Sequence, residues 1–494
     1  MSTPTRKDAK QDSPTGRDQA RLLLALVLKI PLIAHVVLLH ILHLSENSHY
    51  LDLRTEVTIA VIRSFLNSRP RTISSTQKLF SQDPGVKGRI WVSNYTCPAR
   101  GETGVQDAVL RAIEGLREDL EDPRVDIHLP EVAAVEAEWT GYRAGATRQS
   151  TLPPISERER YDEMMKEVSS PATILYFHGG AYWLMDPATH RPTTKKLAKL
   201  TGGRCYSVRY RLAPRHAFPA ALMDGLVSYL QLLYPLPGAF HDPVPPEHIV
   251  LAGDSAGGNL ALALLQTLLE LKRQNATILW NGIERDVPLP SGVAVNSPWM
   301  DITHSSPSCT TGARYDYIPA VEIDSFIEGR PACDLWPVDP PRRALNVDNA
   351  FLTHPLVTVL LARSWAGSPP VYMCTGWELL GDEDKYAAAK LHADGVTVVY
   401  EEYQAMSHCF AMLFVYLAES RRCFAGWSGF IRQVVKDPAA IKGSFTMVKA
   451  KSLEEVEVDP EKLSPYSEAE MRAMVGRQAR GVKNTKGKGE MSKL

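Results

Sequence analysis

HIVLAGDSAGGNLALALL, residues 248–265, decides the fold. Ile249–Ala252 is a short apolar run with the length of a buried strand, and a helix follows from Ala256. Between them stands Gly253-Asp254-Ser255-Ala256-Gly257. This is the G-x-S-x-G pattern, which turns a strand sharply into a helix and exposes the serine hydroxyl. The glycines are required because a side chain in so tight a turn would collide with neighbouring backbone. The helix N-terminus also directs N–H groups and positive dipole toward Ser255.

Outward from this turn the same alternation repeats. TILYF, CYSVRY, GVAVNS, PVYMCTG and VTVVYEEY are short apolar runs, each closed by a turn signal or a polar residue. Helical stretches at 219–233, 258–271 and 385–392 lie between them. Strands alternating with helices predict an α/β fold with a mostly parallel sheet covered on both faces. Upstream the chain is harder to read, with a helix expected over 109–120 and a strand in VEAEWTGYRA. The long interval 301–369, rich in Pro, Asp and Trp, is expected to be an inserted helical cap or lid, because a structureless loop of that length is rare.

Three further segments carry chemistry. ILYFHGGAYW sets His178-Gly179-Gly180-Ala181 directly after a buried strand. Paired glycines let backbone N–H groups approach a substrate oxygen, and such donors stabilise the negative charge that acyl transfer builds there. Gly179, Gly180 and Ala256 are the candidate oxyanion donors, and His178 is expected to orient the loop. A general base should come late, since this architecture runs serine, acid, histidine. His408, after the last strand of the series, fits better than His392 within a helix or His354 in the cap. The acid must reach the histidine Nδ1 and stabilise the imidazolium. Glu378 is the first carboxylate beyond its strand, Asp382 is the alternative, and Glu383 and Asp384 follow at a helix start.

Composition excludes several classes. Hydrophobic residues make up 44% and charged residues 22%, so the chain is neither disordered nor collagen-like. A net charge of −1 offers no general attraction to nucleic acid. Seven scattered cysteines, none spaced C-x-x-C, support neither a zinc ribbon nor a dense disulfide scaffold, and no metal or cofactor is called for. Residues 22–44, LLLALVLKIPLIAHVVLLHILHL, would span about 35 Å as a helix, enough for a bilayer core of about 30 Å. Five basic residues precede the run and only Arg54 stands in the ten positions after it, so the N-terminus stays cytosolic and the body crosses. On that expectation Asn94 and Asn275, each in an N-x-T triplet, become glycosylation sites. The chain then divides into a cytosolic end (1–21), a membrane anchor (22–44), an N-terminal cap region with the first strands (45–170), and a core half with loop and elbow (171–300). The inserted cap (301–369), a core half with acid and histidine (370–445) and a charged tail (446–494) follow. The tail is expected to hold one short helix at Ser467, with the remainder disordered.

HGGAYW, YRLAPRHAFPAAL, GDSAGGN and SHCF, in that order, resemble the hormone-sensitive-lipase-like branch of the α/β-hydrolases. The anchor, EWTGYRAG and a Glu at the acid position look like fungal membrane-bound steryl acetyl hydrolases. The resemblance implies an eight-stranded α/β-hydrolase sheet with a cap. It also implies a cofactor-free serine esterase with a Ser255–His408–Glu378 triad, acting on short acyl esters of lipophilic alcohols such as sterols, terpenoids or polyketides. Tyr182 and Trp183 are then expected to line the acyl side. Two departures stand out: the family's third loop glycine is Ala181, and its usual acidic Asp is Glu378. A tailoring hydrolase or acyltransferase of a fungal secondary-metabolite pathway, or a non-catalytic receptor for a hydrophobic ligand, are the competing readings on the same fold. A single-pass protein of the endoplasmic reticulum with a lumenal body is the expected location.

Overall fold

The structure, a computed structural model, describes residues 27–67, 70–99, 101–117, 127, 129–320 and 327–481. The described residues up to 67 form one compact unit and those from 70 onward a second. In the first, helices α1 (Ile30–Ile41) and α2 (Leu53–Leu66) form a hairpin, with the Asp52 carboxylate accepting the Thr55 N–H to cap α2. Glu56 of α2 accepts hydrogen bonds from His40 and Ser45. The expected 22–44 helix is therefore shorter where it is described: α1 has twelve residues, about 18 Å. Pro31 sits in its first turn, where a missing N–H is tolerated but from which a helix does not run back unbroken. Among the described residues no helix is long and apolar enough to cross a membrane; residues 22–26 lie outside them.

The second unit is built on a ten-stranded sheet. Its strands are β1 (Ile90–Cys97), β2 (Val135–Tyr142), β3 (Thr173–Phe177), β4 (Arg204–Arg209), β5 (Ile249–Asp254), β6 (Gly292–Asn296), β7 (Val371–Gly376), β8 (Val398–Tyr403), β9 (Ser444–Val448) and β10 (Glu455–Glu457). They lie in the order β1-β2-β4-β3-β5-β6-β7-β8-β9-β10. The pairs from β4 to β9 are parallel, and β1–β2, β2–β4 and β9–β10 are antiparallel. Strands β3, β5, β6 and β7 are buried along their whole length, the mark of a sheet covered on both faces. Helix α6 (Pro187–Thr201) packs with α10 (Ala418–Lys436). Helices α4 (Gly104–Gly115), α7 (Ala220–Leu233) and α8 (Ala256–Arg273) pack with one another. The remaining helices are α3 (Ile73–Phe80), α5 (Glu157–Met165), α9 (Gly381–Ala393) and α11 (Glu468–Ala479).

Three expectations need correction. The sheet has ten strands instead of eight, because the tail supplies two. Residues 446–481 are ordered: Phe445 and Val448 of β9 are buried, and Met471 and Val475 of α11 are fully covered. A few apolar side chains in a charged stretch are enough when a sheet edge is open to pair with them. The capping box at Ser467 and Glu470 does form. Finally, the described part of the insertion 301–369 is not built of helices. Among its described residues the α-helical part is the four-residue turn Ser308–Thr311, with 3-10 turns at Gly312–Arg314, Asn349–Phe351 and Val359–Leu361. Pro307, Pro331, Pro337, Pro340, Pro341 and Pro355 remove the N–H donors a longer helix needs. The segment is nevertheless tightly packed, placing Phe351, Leu356, Val357 and Leu360 in the main core. If α11 belongs to the folded body, Met471→Ala will lower unfolding stability by about 2–5 kcal/mol in urea titration. Exposed Glu461→Ala will change it by less than about 0.5 kcal/mol; equal effects would detach the tail from the fold.

Candidate active site

Strand β5 ends on Asp254, and α8 begins on Ala256, so Ser255 carries the whole reversal. Its φ is +52°, a conformation that costs a side-chain-bearing residue energy and is held by its surroundings. The Ser255 N–H donates to the Asn296 carbonyl at 3.1 Å, and its own carbonyl accepts N–H groups from Asn259 and Trp299, each at 3.0 Å. The flanking glycines are sterically required. A Cβ on Gly257 would lie 2.0 Å from the Phe177 carbonyl oxygen and 2.6 Å from that of His178. A Cβ on Gly253 would lie 2.4 Å from the Gly257 carbonyl. These absences of side chain let the start of α8 press against the end of β3, where the HGG loop begins.

In that loop Gly180 has φ +107° and a Cβ there would meet the Leu184 carbonyl at 2.4 Å, so glycine is required. Ala181 and Tyr182 also have positive φ, giving a tight reversal at 180–184. Among the described residues no acceptor pairs with the N–H groups of Gly179, Gly180 or Ala256. His178 is no proton carrier here. Its Nδ1 bonds the Gly179 carbonyl at 2.7 Å, its ring stacks on Tyr210 at 4.3 Å, and its own carbonyl accepts the Tyr210 hydroxyl. Burial lowers its pKa to about 4, with His190 nearby adding to the effect, so it is neutral near pH 7.

Behind the elbow, Asp254 accepts the Tyr176 hydroxyl at 2.6 Å and pairs with His190 Nε2 at 3.3 Å. Burial opposes charge on both partners, but their mutual attraction wins, lowering Asp254 and raising His190. The sequence reading did not single out His190; its only signal is a histidine inside the helix that follows the HGG loop.

His408 and Glu378 meet as expected, Nδ1 against Oε2. Both are buried. Burial raises the Glu378 pKa, yet the His408 charge and hydrogen bonds from His408, Ser297 and Gly376 bring it below the usual value. Burial likewise opposes the His408 cation, but Cys409 and Glu378 outweigh it and raise His408 well above 6.5. The Cys409 thiol is itself pushed up by burial to about 12 and is neutral near pH 7, so the charge His408 meets there is Glu378. Oε1 of Glu378 is filled by Ser297 Oγ at 2.5 Å, Thr375 Oγ1 at 2.9 Å and Gly376 N at 3.2 Å.

Asp382 sits elsewhere. Its carboxylate accepts the Ser308 N–H at 2.9 Å, and its N–H donates to Ser308 Oγ at 3.1 Å. That serine also donates to the Leu379 carbonyl, while Asp316 accepts the Leu379 N–H. Gly312 lies against the Glu378 carbonyl, where a Cβ would come to 2.3 Å. The start of the insertion thus clamps the acid turn, and Asp382 belongs to the clamp. Buried Glu383 accepts the Met300 and Asp301 N–H groups, and burial raises both it and Asp384 well above the carboxylate range. His354 is a core residue bonding the Ile113 carbonyl, and His392 lies in α9.

Two small cavities lie beside the HGG loop, and neither is lined by Ser255 or His408. One, about 20 Å³, is bordered by Tyr182, Arg211, His216, Phe218, Asn259 and Leu260, with the Tyr182 hydroxyl donating to Asn259 Oδ1 at 2.6 Å. The other, also about 20 Å³, is bordered by Ala181, Trp183, Trp299, Ile302 and Leu345. Tyr182 and Trp183 therefore border different cavities instead of a common acyl side, since positive φ at Ala181 and Tyr182 turns the chain between them. Asn94, on β1, and Asn275, after α8, are both exposed. Among the described residues no cluster of three His, Cys, Asp or Glu side chains could hold a metal ion.

Comparison with known proteins agrees with this geometry. A family model described as the alpha/beta hydrolase fold matches residues 174–412. An acetyl-hydrolase of Streptomyces hygroscopicus is 30% identical over 263 residues, covering 53% of this chain and 75% of that protein. An esterase of Acinetobacter venetianus is 29% identical over 272 residues, covering 55% and 78%. Among solved structures, an esterase from the bacterial hormone-sensitive lipase family superposes with a TM-score of 0.53 at 22% identity. That match covers 78% of this chain and 99% of the other, a likeness of fold. The chain belongs to the α/β-hydrolase family, as a carboxylic ester hydrolase.

Proposed function

We propose that this ester hydrolase works through Ser255, His408 and Glu378 and removes short acyl groups, acetyl among them, from lipophilic alcohols such as sterols, terpenoids or polyketides. The observation that carries the reading is a shared anchor. The Asn296 carbonyl holds the Ser255 N–H, and the next residue, Ser297, bonds both Glu378 and the backbone of Cys409 beside His408. In the first step Ser255 Oγ attacks the ester carbonyl, and His408 takes its proton and passes it to the leaving alcohol. Glu378 stabilises the imidazolium, and the N–H groups of Gly179, Gly180 and Ala256 receive the oxyanion. Water then attacks the acyl-enzyme, His408 takes its proton, and the acid leaves as Ser255 Oγ is reprotonated. Apolar side chains on and around the HGG loop, among them Ala181, Trp183, Phe218 and Ile302, support a lipophilic substrate. The name of the Streptomyces relative supports a short acyl group.

We also propose that the body lies on the lumenal side of an endoplasmic-reticulum membrane, held by the apolar N-terminal stretch. Helix α1 supports this, since none of its residues is buried and Leu38 and Ile41 are among its exposed apolar side chains. Alkaline carbonate should leave the full chain in the membrane pellet, with the body protected from added protease; release into the supernatant removes this placement.

A fluorophosphonate should label the wild type and leave Ser255→Ala unlabelled and inactive on p-nitrophenyl acetate and sterol acetates. Glu378→Gln should cut kcat by about 10⁴, the scale of losing a triad acid. Asp382→Asn should cost less than tenfold, and the reverse ranking would move the acid to Asp382. The pH dependence has a definite sign. His408 acts as base only when neutral and its pKa is raised, so kcat/KM should climb with pH through a limb above 6.5. Removing the carboxylate in Glu378→Gln should shift that limb to lower pH.

A further inference from the structure

We propose that Ser297 is a positioning residue that sets the register between the catalytic acid and the catalytic histidine; the inference rests on the Ser–His–Glu reading above. Ser297 directly follows β6, at φ +45°. Its N–H donates to the Cys374 carbonyl at 2.7 Å, fastening it to β7 just before the acid turn. Its hydroxyl has one proton, which it donates to Glu378 Oε1 at 2.5 Å. Its oxygen lone pairs are then free to accept, and one takes the Cys409 N–H at 3.1 Å. A single hydroxyl therefore bridges Glu378 and the residue next to His408, although Glu378 and His408 stand 30 positions apart in the chain.

The consequence lies in which oxygen of Glu378 remains available. With Ser297, Thr375 and Gly376 all donating to Oε1, rotation of the carboxylate would break three bonds at once, so Oε2 stays directed at His408 Nδ1. Without the hydroxyl the acid turn loses one of those bonds, and the His408 turn loses its tie to the acid. The groups around His408 are Glu378, Asp316 and Asp384, with Tyr317 and Cys409. Asp316 accepts the Ile318 and Leu379 N–H groups, burial raises Asp384 well above the carboxylate range, and Glu378 is the carboxylate that meets Nδ1, so its alignment is what the hydroxyl governs.

The positive φ separates a positioning role from a packing role. Glycine relieves the backbone strain at 297, whereas alanine keeps it. If Ser297 served only the turn, Ser297→Gly would be as active as wild type. As a positioning residue, Ser297→Ala and Ser297→Gly both lower kcat on p-nitrophenyl acetate by about 10- to 100-fold, the usual effect of removing an outer partner of a functional group. KM stays within about threefold, and the acidic limb of kcat/KM moves to lower pH, because a loosened carboxylate supports the imidazolium less. Wild-type kcat in Ser297→Gly, a fall in kcat with an unmoved limb, or failure of both variants to fold by circular dichroism overturns the proposal. Glu378→Gln in parallel separates the two levels. Full activity there removes the triad reading itself, whereas an impaired Glu378→Gln beside unaffected Ser297 variants removes only the role of Ser297.

Discussion

The close approach of two backbones, at Gly257 and the carbonyls of Phe177 and His178, is the constraint on which the rest of the site depends. No L-residue with a Cβ fits there, because the nearest carbonyl oxygen would stand 2.0 Å away. With hydrogen alone on that carbon, the start of α8 and the HGG loop lie side by side. The proposed oxyanion donors, Ala256 at the head of the helix and Gly179 and Gly180 in the loop, flank that contact in the chain. The dipole of an eighteen-residue helix adds to the same end. Preorganised donors of this kind act without rearrangement when charge develops, which is why acyl-transfer sites are built from backbone.

Around that contact the parallel sheet does the assembling. In an open α/β sheet, ligands meet the protein beyond the carboxyl ends of the strands. Here β3 ends at the HGG loop, β5 at Ser255, β6 at Asn296 and Ser297, β7 at the acid turn and β8 shortly before His408. Five segments far apart in sequence reach one place because neighbouring strands run the same way and stop at the same level. The charges gathered there are few and paired: Glu378 with His408, Asp254 with His190. Where a third charge would be uncompensated the proton stays on or off accordingly, so His178 is neutral and Asp384 is raised well above the carboxylate range. A buried charge survives only with a partner and hydrogen bonds.

Much of this was legible in the chain. The strand, the glycine-flanked serine and the helix after it follow one another without interruption, and local sterics alone demand that order. The HGG loop after β3 and His408 after β8 were legible for the same reason. Glu378 was distinguishable from Asp382 only by its nearness to a strand end. What separates them in space is Ser308, 74 positions before Asp382, and nothing in DEDK announces a partner so distant. Ser297 was missed although Asn-Ser-Pro-Trp stands at a strand end, because one serine in a turn has no periodicity to reveal it. The tail misled by its charge: Phe445, Val448, Met471 and Val475 are too sparse to form a pattern, yet each finds cover. The insertion misled by its length, which suggested helices that its prolines forbid.

By itself, then, the amino-acid order determined the local events: where strands stop, where glycine must stand, which hydroxyl stands at the strand-to-helix turn, and that His408 follows a strand. These depend on contacts within a few residues and on the requirement to bury apolar runs. Only the tertiary structure decided which carboxylate faces the imidazole, that one serine ties both to β7, and that the tail completes the sheet. Those outcomes depend on distances between strands that neighbour one another in the sheet but not in the chain, and no local pattern encodes a distance of that kind.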